Sequence, residues 1–212
     1  LAIILTFAIA VPLGAWLGAR RGGAPRTVAR WLLFVLQGFP GFVTALLLIH
    51  LFAIELVWLP ALGSSGPLSW ILPTASVAAF LMPKLARLIE ANVAEALGSA
   101  YVRTARAIGA TDREILWRHV LPNALLGATA LLAIQFAFVV TGLVIIETIF
   151  AWPGIGWLLV QSALNLDFPV VQAITLVVVV SVFLINTLTD FVQHRLDPRL
   201  RYRQSLAGEG VA

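Results

Sequence analysis

The 212-residue sequence contains no cysteine. That excludes a disulfide framework, a thiolate zinc site and a cysteine nucleophile, and it removes the residue that would report on redox compartment. Charge is scarce as well: Asp, Glu, Lys and Arg make up 11% of the chain, against about 25% in a soluble globular domain. The single lysine, Lys84, has no glycine-rich loop before it, so there is no Walker A phosphate loop. Three scattered histidines, His50, His119 and His194, lack cysteines or paired carboxylates beside them and offer no metal constellation. What is abundant is apolar surface, with 60% hydrophobic residues and a mean hydropathy of +0.97. This is the composition of a membrane protein. The net charge of +4 would also suit a nucleic-acid binder, and the positions of the basic residues decide between the two.

A bilayer core about 30 Å thick needs about 20 apolar residues per helix. Residues 1–19, 31–53, 68–83, 123–146 and 170–189 contain no Asp, Glu, Lys or Arg. The third run is short, with Pro73 near its start and Pro83 at its end, but its pattern continues through Leu85 and Leu88 as a tilted helix entering the cytoplasm. The expected spans are therefore about 1–19, 31–53, 68–85, 123–146 and 170–190, within one transmembrane domain over 1–203. The longest stretch between spans, 84–122, is too short for a domain with its own core. The tail 204–212 is small and polar, and is expected to be disordered.

Alternating these spans puts every basic residue on one side. Arg20, Arg21, Arg26 and Arg30 follow the first span; Lys84, Arg87, Arg103, Arg106, Arg113 and Arg118 follow the third; Arg195, Arg199, Arg201 and Arg203 follow the fifth. The opposite loops, 54–67 and 147–169, carry only Glu55, Glu147 and Asp167. By the positive-inside bias the basic side, with the carboxyl terminus, is cytoplasmic. Five spans then leave the amino terminus outside. The first run lacks a basic n-region and a cleavage site, and the only methionine is Met82, so it does not read as a signal peptide. An upstream helix is expected to be missing from this chain.

The cytoplasmic loop 86–122 is patterned for amphipathic helices: Leu85, Leu88, Ile89, Val93 and Leu97, then Ile108, Ile115, Leu116 and Val120, recur at three- and four-residue steps. Gly98-Ser99 breaks the first. Gly109-Ala110-Thr111-Asp112 breaks the second, and Thr111 with Glu114 has the form of a capping box opening a helix that runs to Pro122. Between the breaks the spacing predicts a short helix over about 99–108, presented to the cytoplasm and suited to docking a partner.

Gly109-Ala110-Thr111, followed thirteen residues after the glycine by Pro122, resembles the EAA loop of the membrane subunits of binding-protein-dependent ABC importers. The run from Tyr101 to Gly109, then Arg118-His119 to Asn123-Ala124, is similar to the dipeptide, oligopeptide and nickel permease branch. So are the segment from Glu147 to Gly156, the segment from Asp167 to Gln172, and the stretch from Leu196 to Arg201. Gly38-Phe39-Pro40-Gly41-Phe42 sits where the branch carries a proline in an early span. The likeness covers essentially the whole chain and favours the B-type subunit. One departure is Arg103, where the general motif has a glutamate; Glu95 is too far upstream to replace it.

The resemblance implies an all-α, polytopic, type I ABC importer permease core, multi-pass in the cytoplasmic (inner) membrane of a prokaryote. It implies as partners a second homologous permease subunit, two ATP-binding cassette ATPases and an external substrate-binding protein, and no nucleic acid. ATP and Mg²⁺ would bind the ATPases, and this chain would hold no cofactor. Coupling to the ATPases would fall to Tyr101, Arg103, Thr104, Ala105, Arg106, Gly109 and Ala110. Movement of the short helix would switch the permease pair between inward- and outward-facing states. The expected cargo is a di- or oligopeptide, with nickel, glutathione or another small solute as the alternative.

Several residues carry two open readings. Glu147, Trp152, Pro153 and Gly154 form either a re-entrant gating element or an interfacial turn anchored by Trp152 and Trp157. Gln37, Thr44, His50, Gln135, Thr141 and Asn186 either line a pathway or hydrogen-bond between helices, and Gln135 is the mid-span candidate for a pathway. Arg103 and Arg106 suit ATPase docking or lipid headgroups. Gly14 and Gly18 form a G-x-x-x-G close-packing signal. An intramembrane enzyme would need paired aspartates, a Ser/His set or H-E-x-x-H within the spans, and there is none. A passive channel or assembly subunit has no use for a rigid cytoplasmic helix of this pattern.

Overall fold

The computed structural model describes residues 1–20, 22–64 and 66–196. Arg21, Arg199, Arg201, Arg203, nearly all of the segment from Leu196 to Arg201 and the tail 204–212 lie outside the described residues, as do the side chains of Thr141, His194 and Arg195. Among the described residues all regular structure is helical. The elements are α1 (Ala2–Ala19), α2 (Ala24–Gly38), α3 (Gly41–Leu48) continued by π turns over Ile49–Glu55, α4 (Ile71–Leu97) after a 3₁₀ turn at Pro67–Trp70, α5 (Ala100–Ala107), α6 (Asp112–Glu114), a π segment at Ile115–Val120, α7 (Leu121–Ile149), α8 (Ile155–Leu164) and α9 (Phe168–Leu196).

Three helical stretches, Ala2–Ala19, Pro67–Leu97 and Phe168–Thr189, are long and apolar enough to cross a membrane. The 29-residue α7 contains the uncharged run 123–146 as well. The apolar run 31–53, expected as a span, is bent: Ala24–Gly38 and Gly41–Glu55 meet at 105°. The cause is Pro40, which has no N–H to donate and holds the preceding residue out of the helical region. Phe39 accordingly adopts ψ 129 and Pro40 ψ 145, both extended. Hydropathy cannot separate a straight apolar run from a bent one.

The third span does not stop at 85. The helix continues unbroken to Leu97, roughly 40 Å for 27 residues, so 86–97 belongs to α4 rather than to a loop. Its lower half packs along α1 with almost no side chain between the two backbones. A Cβ on Gly14 would lie 2.6 Å from the carbonyl oxygen of Ala86, and one on Gly18 would lie 2.7 Å from that of Glu90. Such close approach is what G-x-x-x-G spacing makes possible where lipid gives no hydrophobic drive for helix association. Around this seam Leu17, Leu85, Ile89, Val93, Val102, Ile115 and Val120 are fully buried.

Pro122 does not end the second loop helix either. The chain widens into the π segment just before it, and this local widening accommodates Pro122 at the second position of α7 without ending the helix. Residues 112–149 are therefore one continuous helical rod, roughly 55 Å long. It joins the arginine-bearing end of the molecule to the end that carries Trp70, Glu147 and Trp152.

Candidate functional site

At the basic end, α5 is a free-standing helix closed by local chemistry. Its carboxyl end is a Schellman turn: the Ala110 amide donates to the Ala105 carbonyl at 3.1 Å and the Gly109 amide to the Arg106 carbonyl at 3.0 Å. Gly109 sits at φ +91, and a Cβ there would meet nothing within 4 Å. Only backbone conformation, not space, asks for glycine. Thr111 then accepts a hydrogen bond from the Glu114 amide at 3.3 Å and opens α6.

Below α5, Val102 and Ala105 are buried on the π segment that leads into α7. Tyr101, Arg103, Thr104, Arg106 and Ile108 are exposed, Ile108 by 82%. The coupling residues expected from sequence thus divide into three groups. Ala105 supports the helix from beneath, Gly109 and Ala110 close it, and the other four form its outward face. Arg106 also pairs with Asp112 at 3.3 Å across the turn.

Residues that sequence reasoning passed over hold this end in place. Glu90, with its side chain 8% exposed, receives Arg26 at 3.1 Å and Arg30 at 3.3 Å, fastening α2 to α4. Arg87 donates to Gln37 at 3.1 Å beside it. Asn92 donates to the Ala124 carbonyl at 2.9 Å, which ties α4 to α7. No basic residue follows Glu90 at three or four positions on its own helix, and Arg87, three positions before it, is turned to Gln37 instead. The partners of Glu90 are Arg30 and Arg26, which lie 60 and 64 residues earlier.

The opposite end is built around Glu147. Its Oε2 accepts from the backbone amides of Gly156 at 2.7 Å and Trp157 at 3.0 Å. These are second- and third-position amides of α8, donors with no partner inside that helix. A carboxylate from α7 therefore caps α8, favoured by the positive end of its dipole. Gly154 and Gly156 follow from the same geometry. A Cβ on Gly154 would overlap the Glu147 carboxylate, and one on Gly156 would lie 2.5 Å from the Val144 Cα.

The turn from α7 into this cap is again of the Schellman type. The Trp152 amide donates to the Glu147 carbonyl at 2.8 Å and the Ala151 amide to that of Thr148 at 3.3 Å. Here the left-handed position is Ala151, at φ +47. Trp152 packs edge-on against Trp70 with ring centroids 4.5 Å apart, and the Gly63 amide donates to the Phe150 carbonyl at 2.8 Å. Glu147, Trp70 and Trp152 line a cavity of about 290 Å³. Pro153 is exposed at the tip of the turn.

Gln135 stands apart from both ends. It lies twelve residues from Glu147 along α7, roughly 18 Å. Its Nε2 donates to the Leu81 carbonyl at 3.2 Å, and its buried Oε1 has no partner among the described residues. Of the other polar residues in spans, Thr44 returns a bond to Pro40 of its own helix, His50 lies 3.6 Å from Glu55, and Asn186 is exposed on α9.

Residues 10–202 match the family described as binding-protein-dependent transport system inner membrane component. The chain belongs to that family. Its helices long and apolar enough to cross a membrane agree with the inner-membrane setting that the family's description names. The glutathione transport system permease protein GsiC of Pectobacterium atrosepticum is 35% identical over 202 residues, covering 95% of this chain and 65% of that protein. GsiC of Escherichia coli K12 is 36% identical over 165 residues, covering 78% and 54%. The chain spans between about half and two thirds of the length of these curated relatives. Among solved structures, the methionine ABC transporter MetNI in an inward facing conformation superimposes with a TM-score of 0.77 at 19% identity, over 92% of this chain and 89% of that one. An amino acid ABC transporter solved with histidines gives 0.62 at 21% identity, over 92% and 90%. The fold is common to all three chains.

Proposed function

We propose that this permease moves a peptide-class solute inward by alternating access, with its basic end in the cytoplasm and α5 seated in a groove of an ATPase subunit. A second permease, two ATPases that bind ATP and Mg²⁺, and an external binding protein complete the transporter. The observation that carries the reading is α5 itself. It is a short helix capped without outside help, anchored by two buried side chains, and it presents Tyr101, Arg103, Arg106 and Ile108 outward.

A force applied there enters the rod 112–149 through the buried contacts of Val102 and Ala105 and emerges at Glu147 and the α8 cap. Glu147, Trp152, Pro153 and Gly154 then act as an outer gate, and Gln135, held against α4 in this state, joins the pathway when α7 and α4 part. Glutathione is itself a short peptide, so the relatives' names and the peptide reading point to one solute class.

The test is ATP-dependent uptake of labelled glutathione and dipeptides by the complete complex in proteoliposomes, with Gly109→Trp and Arg106→Glu variants. Loss of uptake together with loss of ATPase association supports the docking role of α5. Survival of both in either variant rejects it.

A further inference from the structure

A cavity of about 850 Å³ opens at the basic end beside α5, sharing only Arg106 with that helix's outward face. The last turn of α1, the start of α2, the end of α4 and the turn from α5 into the π segment form its walls. Four arginines, Arg20, Arg26, Arg106 and Arg113, line it, against the single carboxylate Asp112.

Internal pairing leaves much of this charge unmatched. Arg106 is answered by Asp112 at 3.3 Å. Arg26 shares Glu90 with Arg30, and its Nε is buried without a partner among the described residues. Arg113 makes no ion pair among the described residues. The Arg20 guanidinium sits 5.0 Å from the ring centroid of Trp16, over an indole rather than an anion. Guanidinium groups gathered in one concavity repel each other until an anion joins them, and their planar forks match phosphate oxygens.

The position adds to the chemistry. Trp16 and Arg20 end the first membrane-spanning helix, the level at which tryptophan and arginine meet lipid headgroups. Ala19, Leu97 and Leu116 give the cavity an apolar side.

We propose that this cavity binds a phosphate-bearing anion, drawn either from an anionic phospholipid of the facing leaflet or from a free phosphate compound. Arg106 belongs to both the cavity and α5, so the bound anion competes with Asp112 for one guanidinium and sets the stiffness of the turn behind α5. The assignment does not depend on which solute is transported.

The test uses the complete complex in nanodiscs. With phosphatidylglycerol mixed into phosphatidylcholine, native mass spectrometry should find phosphatidylglycerol retained on this subunit. Arg20→Gln with Arg113→Gln should lower that retention at least about tenfold, the loss of two charge-assisted contacts. Arg20→Lys with Arg113→Lys keeps the charge without the fork and should retain an intermediate amount, which separates lost binding from lost folding. In phosphatidylcholine alone, inorganic pyrophosphate should raise the Tm of the unaltered complex and not that of the glutamine variant if the source is soluble. Retention that ignores the substitutions, or no response to either probe, overturns the proposal. So does a glutamine variant that binds neither probe differently but loses its ATPase, because the cavity would then be filled by acidic side chains of that partner.

Discussion

The two turns that end the helical elements at opposite poles of the molecule share a hydrogen-bond pattern and differ in how they are held. At the inner turn the left-handed position is Gly109, free of neighbours within 4 Å. At the outer turn it is Ala151, which carries a Cβ at φ +47. There the glycines lie further on, at 154 and 156, where they make room for a carboxylate. The inner turn is cheap in conformation and open in space, as suits a surface that another molecule completes. The outer turn is conformationally costly and sterically closed, because Glu147, the Trp70–Trp152 pair and the Gly63–Phe150 bond already complete it.

The contrast fails most visibly if Gly154 tolerates a side chain. Gly154→Val should displace the Glu147 carboxylate, cost about 2–3 kcal/mol and abolish uptake; thermal unfolding in detergent together with transport would check both. Glu147→Gln keeps the shape and removes the charge. It should cost about 1–2 kcal/mol, since hydrogen bonds to an ionised acceptor are the stronger kind, and hydrogen exchange at Gly156 and Trp157 should quicken.

Gly109→Ala should cost only about 1 kcal/mol, the local penalty for a Cβ in left-handed backbone. Its larger consequence should be weaker ATPase association, measured by co-purification. Ala151→Gly should have the opposite sign. Relief of the same penalty, offset by the greater freedom of glycine in the unfolded chain, leaves a gain between zero and about 1 kcal/mol. A loss of stability there would show that the outer turn is not strained.

The inner turn was legible in sequence because its signals are local. Gly98-Ser99, Gly109 and Thr111 with Glu114 each act within a few residues, and helix α5 falls between the breaks that they mark. The outer turn was legible only in part. Glu147 and Gly154 stood out through resemblance, but the bond that joins the carboxylate to the amides of 156 and 157 depends on a reversal at Ala151 that no glycine announces. Glu90 gave no sign, since its arginines arrive from a helix distant in sequence. The bend at Pro40 was marked by its proline, yet an uncharged run reads alike whether straight or folded by 105°.

The seam at Gly14 and Gly18 bears on any motion of the whole subunit. Two helices whose backbones touch have no layer of side chains in which to slide, so α1 and the lower half of α4 must travel as a single strut. Because Glu90 fastens α2 to the same strut, rotation is relegated to the places beyond it, the extended pair Phe39-Pro40 and the short link Gly98-Ser99. The first swings the apolar wall, the second swings the handle, and the strut between them serves as the fulcrum.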